Sequence, residues 1–84
     1  MNKATEIRFT DGIPHDVIEK IFLEEMSPTR AWREYLGLSQ QDAAHRAGMG
    51  LTEYIEQEAI RKPRQPARVK IAIALGIAPD LLDI

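Results

Sequence analysis

The sequence has no cysteine, and its 84 residues include only one tryptophan, two tyrosines and two phenylalanines. Without cysteine the chain forms no disulfide and no cysteine-ligated zinc or iron–sulfur site. No apolar run is long enough to cross a membrane. The first residues, MNKATEIRFTDG, also lack the apolar stretch of a secretory signal. We therefore expect a cytoplasmic protein that makes no membrane contact.

Length and composition fit one small domain. A chain of 84 residues has a thin core, and its 44% of hydrophobic and 29% of charged residues argue against disorder. The formal net charge is −2, whereas nucleic-acid-binding domains are usually basic. We predict a polar N-terminal segment, residues 1–12, in which Ile7 and Phe9 allow a very short strand. A single domain is predicted to follow over residues 13–84.

Cap residues, glycines and apolar spacing predict five helices and a final turn. The first helix is expected to bury Ile13, Val17, Ile18, Ile21 and Phe22. The second is expected to point Ala31, Trp32, Tyr35 and Leu36 inward and Arg30, Arg33 and Glu34 outward. The fifth helix and the LLDI tail are so apolar that a second copy of the chain is expected to cover part of them. The predicted bounds are Pro14 to Glu25, Pro28 to Gly37, Ser39 to Gly48, Leu51 to Ala59 and Ala67 to Leu75, with the final turn opening at Pro79.

The third and fourth helices have the spacing of a helix-turn-helix. Ser39 and Asp42 form the Asp variant of a capping box at the start of the third helix. Gly48 supplies the positive φ that ends this helix, and Leu51 opens the next one. The small side chains of the third helix allow another helix to approach closely; they are Ala43, Ala44 and Ala47.

The stretch GLSQQDAAHRAGM, residues 37–49, resembles the Xre family of helix-turn-helix regulators, part of the lambda-repressor-like superfamily. In that family's pattern, counted from Gln40, the fifth position is Ala44, the ninth Gly48 and the tenth Met49. ALGIAPDLL, residues 74–82, resembles the family's closing segment. The resemblance covers about residues 28–83. It implies an all-α, five-helix lambda-repressor-like bundle that binds DNA.

Residues 13–40, IPHDVIEKIFLEEMSPTRAWREYLGLSQ, are similar to the HigA-like antitoxins of toxin–antitoxin pairs. That resemblance implies a homodimer that binds its own double-stranded operator DNA and neutralises a cognate toxin, for which a basic protein is expected. Several positions depart from the family pattern. Gly50 and Leu51 replace polar residues, Gln57 replaces an apolar anchor and Ile60 replaces glycine. A repositioned fourth helix and the loss of base reading are both consistent with these departures.

Charge along the chain is segregated. Residues 61–70 contain five basic residues and no acidic one. They directly follow the fourth helix, which is the predicted recognition helix of the helix-turn-helix. We predict that Arg61, Lys62 and Arg64 hold phosphates, although a solvated loop that balances nearby acids would have the same composition. The recognition helix itself carries Glu53, Glu56 and Glu58, which repel phosphates if all three face outward.

The predicted DNA-binding residues extend onto the third and fourth helices. Gln40 lies at a helix N-terminus, which suits a phosphate contact. Leu51 opens the recognition helix, and Thr52 can contact a phosphate or a thymine methyl group. Glu56 can accept a hydrogen bond from cytosine N4. The alternatives are an ordinary polar first turn at Gln40 and an acidic helix face that binds no DNA.

No pattern of catalytic or metal-ligating residues is recognisable. His15 and His45 lack ligand partners at metal spacing, and no phosphate loop or paired nucleophile and base is present. We expect no enzyme activity, no metal and no cofactor. The sequence therefore predicts a sequence-specific regulator, with an autoregulating antitoxin as its most specific form. The alternative is a degenerate helix-turn-helix module that binds proteins and no specific DNA.

Overall fold

The computed structural model describes residues 12–83, and all regular structure in this range is helical. It confirms the predicted all-α bundle of five helices. Residues 1–11, with the strand predicted at Ile7 and Phe9, and Ile84 lie outside the described residues. Within residues 12–83 no helix has the length and apolar character needed to span a membrane. The helices are α1 His15–Phe22, α2 Pro28–Tyr35, α3 Gln40–Ala47, α4 Leu51–Ala59 and α5 Gln65–Leu75, followed by a 3-10 helix at Pro79–Leu82.

Serine caps begin α2 and α3, as predicted. The Ser27 hydroxyl accepts a hydrogen bond from the Arg30 backbone N–H at 3.1 Å. The Ser39 hydroxyl accepts one from the Asp42 backbone N–H at 3.0 Å. Each cap satisfies one of the N–H groups that a helix leaves free in its first turn, which fixes where the helix starts.

Left-handed glycines end α3 and α5, also as predicted. Gly48 has φ 69°, and the next residue, Met49, donates its backbone N–H to the Ala44 carbonyl at 2.9 Å. Gly76 ends α5 with φ 74° in the same way. A side chain at such a φ is strained, so glycine sets the point at which the chain leaves each helix.

The predicted end of α1 and the predicted start of α5 were wrong. α1 ends at Phe22 and not at Glu25, because the chain turns back at once: the Met26 N–H bonds the Lys20 carbonyl, and Glu25 takes a positive φ of 58°. α5 begins at Gln65, two residues before the predicted start. Pro66 lies in the first turn of α5, where proline's missing N–H breaks no helical hydrogen bond.

α5 packs against α3 on one side and against the 3-10 helix on another, while α1 packs on α2 and α3 packs on α4. Ala43 and Ala44 are buried, and these small side chains let α5 approach α3 closely. The large side chains that fill the core come from every element except α3. They are Val17, Ile21, Trp32, Tyr54, Ile71, Leu75 and Leu82.

Several predicted inward residues lie at the surface. Phe22, Tyr35 and Leu36 are 49%, 44% and 41% exposed, because each lies in the last turn or just beyond the end of a helix of eight residues, where no other helix covers it. The expectation that the C-terminal tail needs a second chain was also wrong for its leucines. Leu82 is fully buried and Leu81 packs against the core, whereas Ile73 on α5 is 73% exposed.

The turn between α3 and α4 yields a stability prediction. Gly48→Ala should lower the free energy of unfolding by about 1–2 kcal/mol, because alanine is strained at φ 69°. Gly50→Ala is the matched control, since Gly50 has φ −67° and a methyl group added there would meet no described atom within 4 Å. Gly50 is the N-cap of α4, where alanine is less favourable than glycine, but alanine also loses less conformational freedom on folding. Because these two effects oppose each other, the change in stability should be less than about 0.5 kcal/mol. Urea denaturation followed by circular dichroism measures both, and equal losses would contradict the role given to φ.

Candidate functional site

α3 and α4 are joined by a tight turn at residues 48–50, in which Met49 is buried. α4 is anchored to the bundle by Tyr54 and Glu58, which are 0% and 5% exposed. These two residues are four apart and therefore share one face of the helix. The rest of α4 is turned away from the core.

A buried ion pair between Arg33 and Glu58 holds α4 in this orientation. Arg33 Nε donates to Glu58 Oε1 at 2.7 Å and Arg33 Nη2 donates to Oε2 at 3.1 Å, so the contact is bidentate. Only 12% and 5% of the two side chains are exposed. The hydrogen bond from Arg33 to Glu58 raises the pKa of Arg33 against the opposing effect of burial. The predicted outward position of Arg33 was therefore wrong, and Glu58 does not belong to a solvent-facing acidic surface.

Further hydrogen bonds connect the pair to its surroundings. Gln40 Nε2 donates to Glu58 Oε2 at 3.1 Å, and Arg33 Nη1 donates to the Leu38 carbonyl at 2.8 Å. The Ser27 hydroxyl donates to the Glu58 carbonyl at 2.6 Å. The cluster ties α2, α3 and α4 together at one point.

Tyr54 is buried beside this cluster, as its predicted core position requires. Its hydroxyl has no hydrogen-bond partner of acceptable geometry among residues 12–83. Burial, and then the neighbouring Glu58 carboxylate, raise the pKa of Tyr54 above the usual value of a tyrosine. The folded protein therefore keeps this phenol protonated.

The outer face of α4 carries three of the predicted DNA-binding residues. Leu51, Thr52 and Glu56 are exposed there, and Ile55 is exposed beside them. Leu51 and Ile55 are four residues apart, as are Thr52 and Glu56, so they form two neighbouring stripes. Ile55 was not among the residues predicted to bind DNA, although its helical spacing from Leu51 is visible in the sequence.

Gln40, the predicted phosphate contact on α3, is half-buried and its amide nitrogen is bound to Glu58. It opens α3 next to the exposed Gln41. Its contact with a phosphate stays a prediction.

The three basic residues predicted to hold phosphates do not form one cluster. The Arg61 guanidinium lies 5.9 Å from the ring centre of Phe22 on α1. Lys62 Nζ lies 3.0 Å from Asp83 Oδ1, in an exposed ion pair. Arg64 directly precedes α5 without a side-chain capping hydrogen bond, and it lines a groove together with Glu53 and Gln57 of α4. Because exposed ion pairs contribute little, Lys62 remains able to exchange its partner.

The groove that Arg64 lines is shallow, has a volume of about 250 Å³ and lies between α4 and the start of α5. Glu53 and Gln57 line it from α4, and Lys70 lines it from α5. The groove therefore brings the carboxylate of Glu53 to the same side as two basic residues. Gln57, which replaces an expected apolar anchor, keeps its Oε1 buried without a hydrogen-bond partner among the described residues.

Arg33 and Glu58 provide the sharpest stability test. Arg33→Met should lower the free energy of unfolding by about 3–5 kcal/mol, because it leaves Glu58 buried and uncompensated. Arg30→Met is the matched control, because Arg30 forms an exposed ion pair with Glu34 one turn away. It should cost less than about 1 kcal/mol. Urea denaturation measures both variants.

The double variant Arg33→Met/Glu58→Leu keeps this test decisive even where Arg33→Met alone does not fold. It removes both charges, so stability should recover to near that of the wild type. A double variant as unstable as Arg33→Met, or an Arg30→Met loss of the same size, would contradict the role of the buried pair.

The raised pKa of Tyr54 predicts that the folded protein loses stability at alkaline pH. Its pKa is raised on folding, so its contribution to stability is fully present below about pH 10, the usual pKa of the unfolded chain, and is lost as pH rises further. Tyr54→Phe should therefore flatten the fall in melting temperature between about pH 10 and 12. Tyr35→Phe, the same change at a 44% exposed tyrosine, is the matched control. Equal slopes in wild type and Tyr54→Phe would contradict the prediction.

Metal sites and known relatives add nothing further to this picture. Within residues 12–83 no three histidine or carboxylate side chains are grouped so that they could hold a metal ion. No protein-family model, curated protein or solved structure matches the chain at a significant level.

Proposed function

We propose that the protein is a sequence-specific DNA-binding transcriptional regulator in which α3 and α4 form a helix-turn-helix. α4 would lie in the major groove and present its N-terminal residues to the base edges. The observation that carries this proposal is the inward position of Glu58, which is 5% exposed and paired with Arg33.

The burial of Glu58 changes the charge of the surface that would meet DNA. Of the three glutamates on α4, Glu58 is neutralised inside the bundle and Glu53 lines the groove that also contains Arg64 and Lys70. Glu56 is then the acid on the outer stripe of α4. A single carboxylate there is compatible with base reading, because it can accept a hydrogen bond from cytosine N4.

Phosphate contacts would come from both sides of this face. Gln40 and the backbone N–H groups of α3 lie at a helix N-terminus, which favours anions. Arg61, Lys62 and Arg64 follow α4 in the chain. They point to different neighbours, so we expect Arg64, which borders the α4 groove, to contribute most.

The resemblance to HigA-like antitoxins supports a more specific proposal, an autoregulating antitoxin that also binds a basic toxin. α1 and the turn that follows it expose the acids Asp16 and Glu24 together with Phe22 and Leu23, which are 49% and 75% exposed. Such a mixed acidic and apolar surface suits a basic protein partner. A homodimer would match a palindromic operator, and Ile73, 73% exposed on α5, is a candidate for the contact between copies.

Fluorescence anisotropy with DNA from upstream of the gene, measured across a salt series, tests DNA binding. We expect specific binding that weakens steeply with salt. Arg64→Ala should weaken binding to all sequences and reduce the slope of log K against log salt by about 0.9, the value for one phosphate contact. Arg61→Ala and Lys62→Ala should act in the same direction and less strongly.

Lys20→Ala and Arg30→Ala are the charge-matched controls, because they remove a positive charge from α1 and α2, which carry none of the proposed DNA contacts. They should leave the salt slope unchanged. If low salt reveals no specific binding, the regulator proposal fails. Co-purification of a basic protein after DNA removal would then favour the alternative, a protein-interaction module. The exposed apolar side chains of Phe22 and Leu23 are consistent with that alternative.

A further inference from the structure

The side chains of α4 offer few of the hydrogen-bonding groups that read base edges in the major groove. None of its nine residues, LTEYIEQEA, is lysine or arginine. Guanine presents two acceptors, O6 and N7, to the major groove, and arginine or lysine is the usual reader of both. The exposed face of α4 offers the Thr52 hydroxyl as its hydrogen-bond donor. α4 is therefore poorly suited to reading guanine.

Adenine is also poorly matched to this helix. Asparagine or glutamine reads adenine through a bidentate contact. α4 contains one such residue, Gln57, and its amide oxygen is buried beside the groove between α4 and the start of α5. The side chains that α4 exposes are apolar, apart from the Thr52 hydroxyl and the acids Glu53 and Glu56. Of the two acids, Glu53 borders the groove that also contains Arg64 and Lys70.

Leu51 and Ile55 are the largest of these outward side chains. They are 43% and 40% exposed, and their four-residue spacing places them side by side on one stripe. Neither can form a hydrogen bond. The apolar feature that a base pair shows in the major groove is the C5 methyl group of thymine. Contact with that methyl group removes apolar surface from water on both partners.

We propose that Leu51 and Ile55 read thymine methyl groups, so that the half-site contacted by α4 has thymines at neighbouring positions. This inference rests on the proposed DNA-binding function and names the bases that the protein recognises. It assigns specificity to Ile55 and defines the contact of Leu51.

A protein partner fits this stripe less well than DNA does. Thr52 and Glu56 adjoin the stripe with polar groups that suit base edges. The more exposed apolar pair, Phe22 and Leu23, lies at the end of a different helix, α1.

The test begins with selection of a preferred duplex from a random pool, using the purified full chain. Binding of that duplex is then compared with binding of a duplex in which deoxyuridine replaces each thymidine of the half-site. Uracil keeps every hydrogen-bonding group of thymine and lacks only the methyl. Affinity should fall roughly fourfold for each contacted methyl that is removed.

Variants locate the contact on the protein. Ile55→Ala and Leu51→Ala should weaken binding to the thymine duplex and should lose most of their sensitivity to deoxyuridine, because the partner of the methyl group is gone. Leu36→Ala is the matched control, since it shortens a leucine that is 41% exposed at the end of α2, nearly the same exposure as that of Leu51. It should retain the full wild-type response to deoxyuridine. Circular dichroism checks that all variants are folded.

The outcomes separate this inference from the function on which it rests. A preferred sequence that is bound equally with thymine and uracil would overturn the thymine-reading proposal and leave the regulator proposal standing. Unchanged DNA affinity in Ile55→Ala and Leu51→Ala would overturn it as well. Recovery of no preferred sequence would overturn both proposals.

Discussion

The orientation of α4 depends on the buried ion pair between Arg33 and Glu58. Two charges removed from water are tolerated only when each compensates the other and their remaining hydrogen-bonding groups are satisfied. Gln40 and the Leu38 carbonyl provide those additional bonds, which brings α2, α3 and α4 to one point. Because Glu58 and Tyr54 mark the inner face of α4, the pair also determines which residues lie on the outer face.

The same pair alters the meaning of the chain's charge. A net charge of −2 and three glutamates on one helix suggest a surface that repels DNA. In three dimensions one of those glutamates is neutralised inside the bundle. The positive charge of residues 61–70 is likewise partly taken up within the protein, since Arg61 lies over Phe22 and Lys62 pairs with Asp83. A linear sum therefore overstates both the acidity of α4 and the strength of the basic patch.

Local signals predicted much of the fold. The serine caps, the glycines of positive φ and the bounds of α4 depend on residues that are close together in the sequence, where local hydrogen bonding decides the structure. The errors concern tertiary contacts. Polarity normally marks the solvent face, which favours an outward Arg33, and no local pattern shows that Glu58, 25 residues later, meets it. The helical spacing of Tyr35 favours an inward side chain, although no other helix extends far enough to cover it.

The stability of α4 and its proposed DNA recognition are linked, because the same helix carries the anchoring residues on its inner face and the proposed DNA contacts on its outer face. The positions that anchor the helix, Tyr54 and Glu58, alternate with those that would meet DNA, so a rotation of the helix would move both sets together. A charged anchor resists such rotation better than an apolar one would, since a bidentate contact specifies direction as well as distance. The proposed methyl recognition would need that constraint, because it lacks directional hydrogen bonds and would depend on how closely Leu51 and Ile55 approach the bases. The buried ion pair thus supplies the geometric precision that the apolar outer stripe lacks.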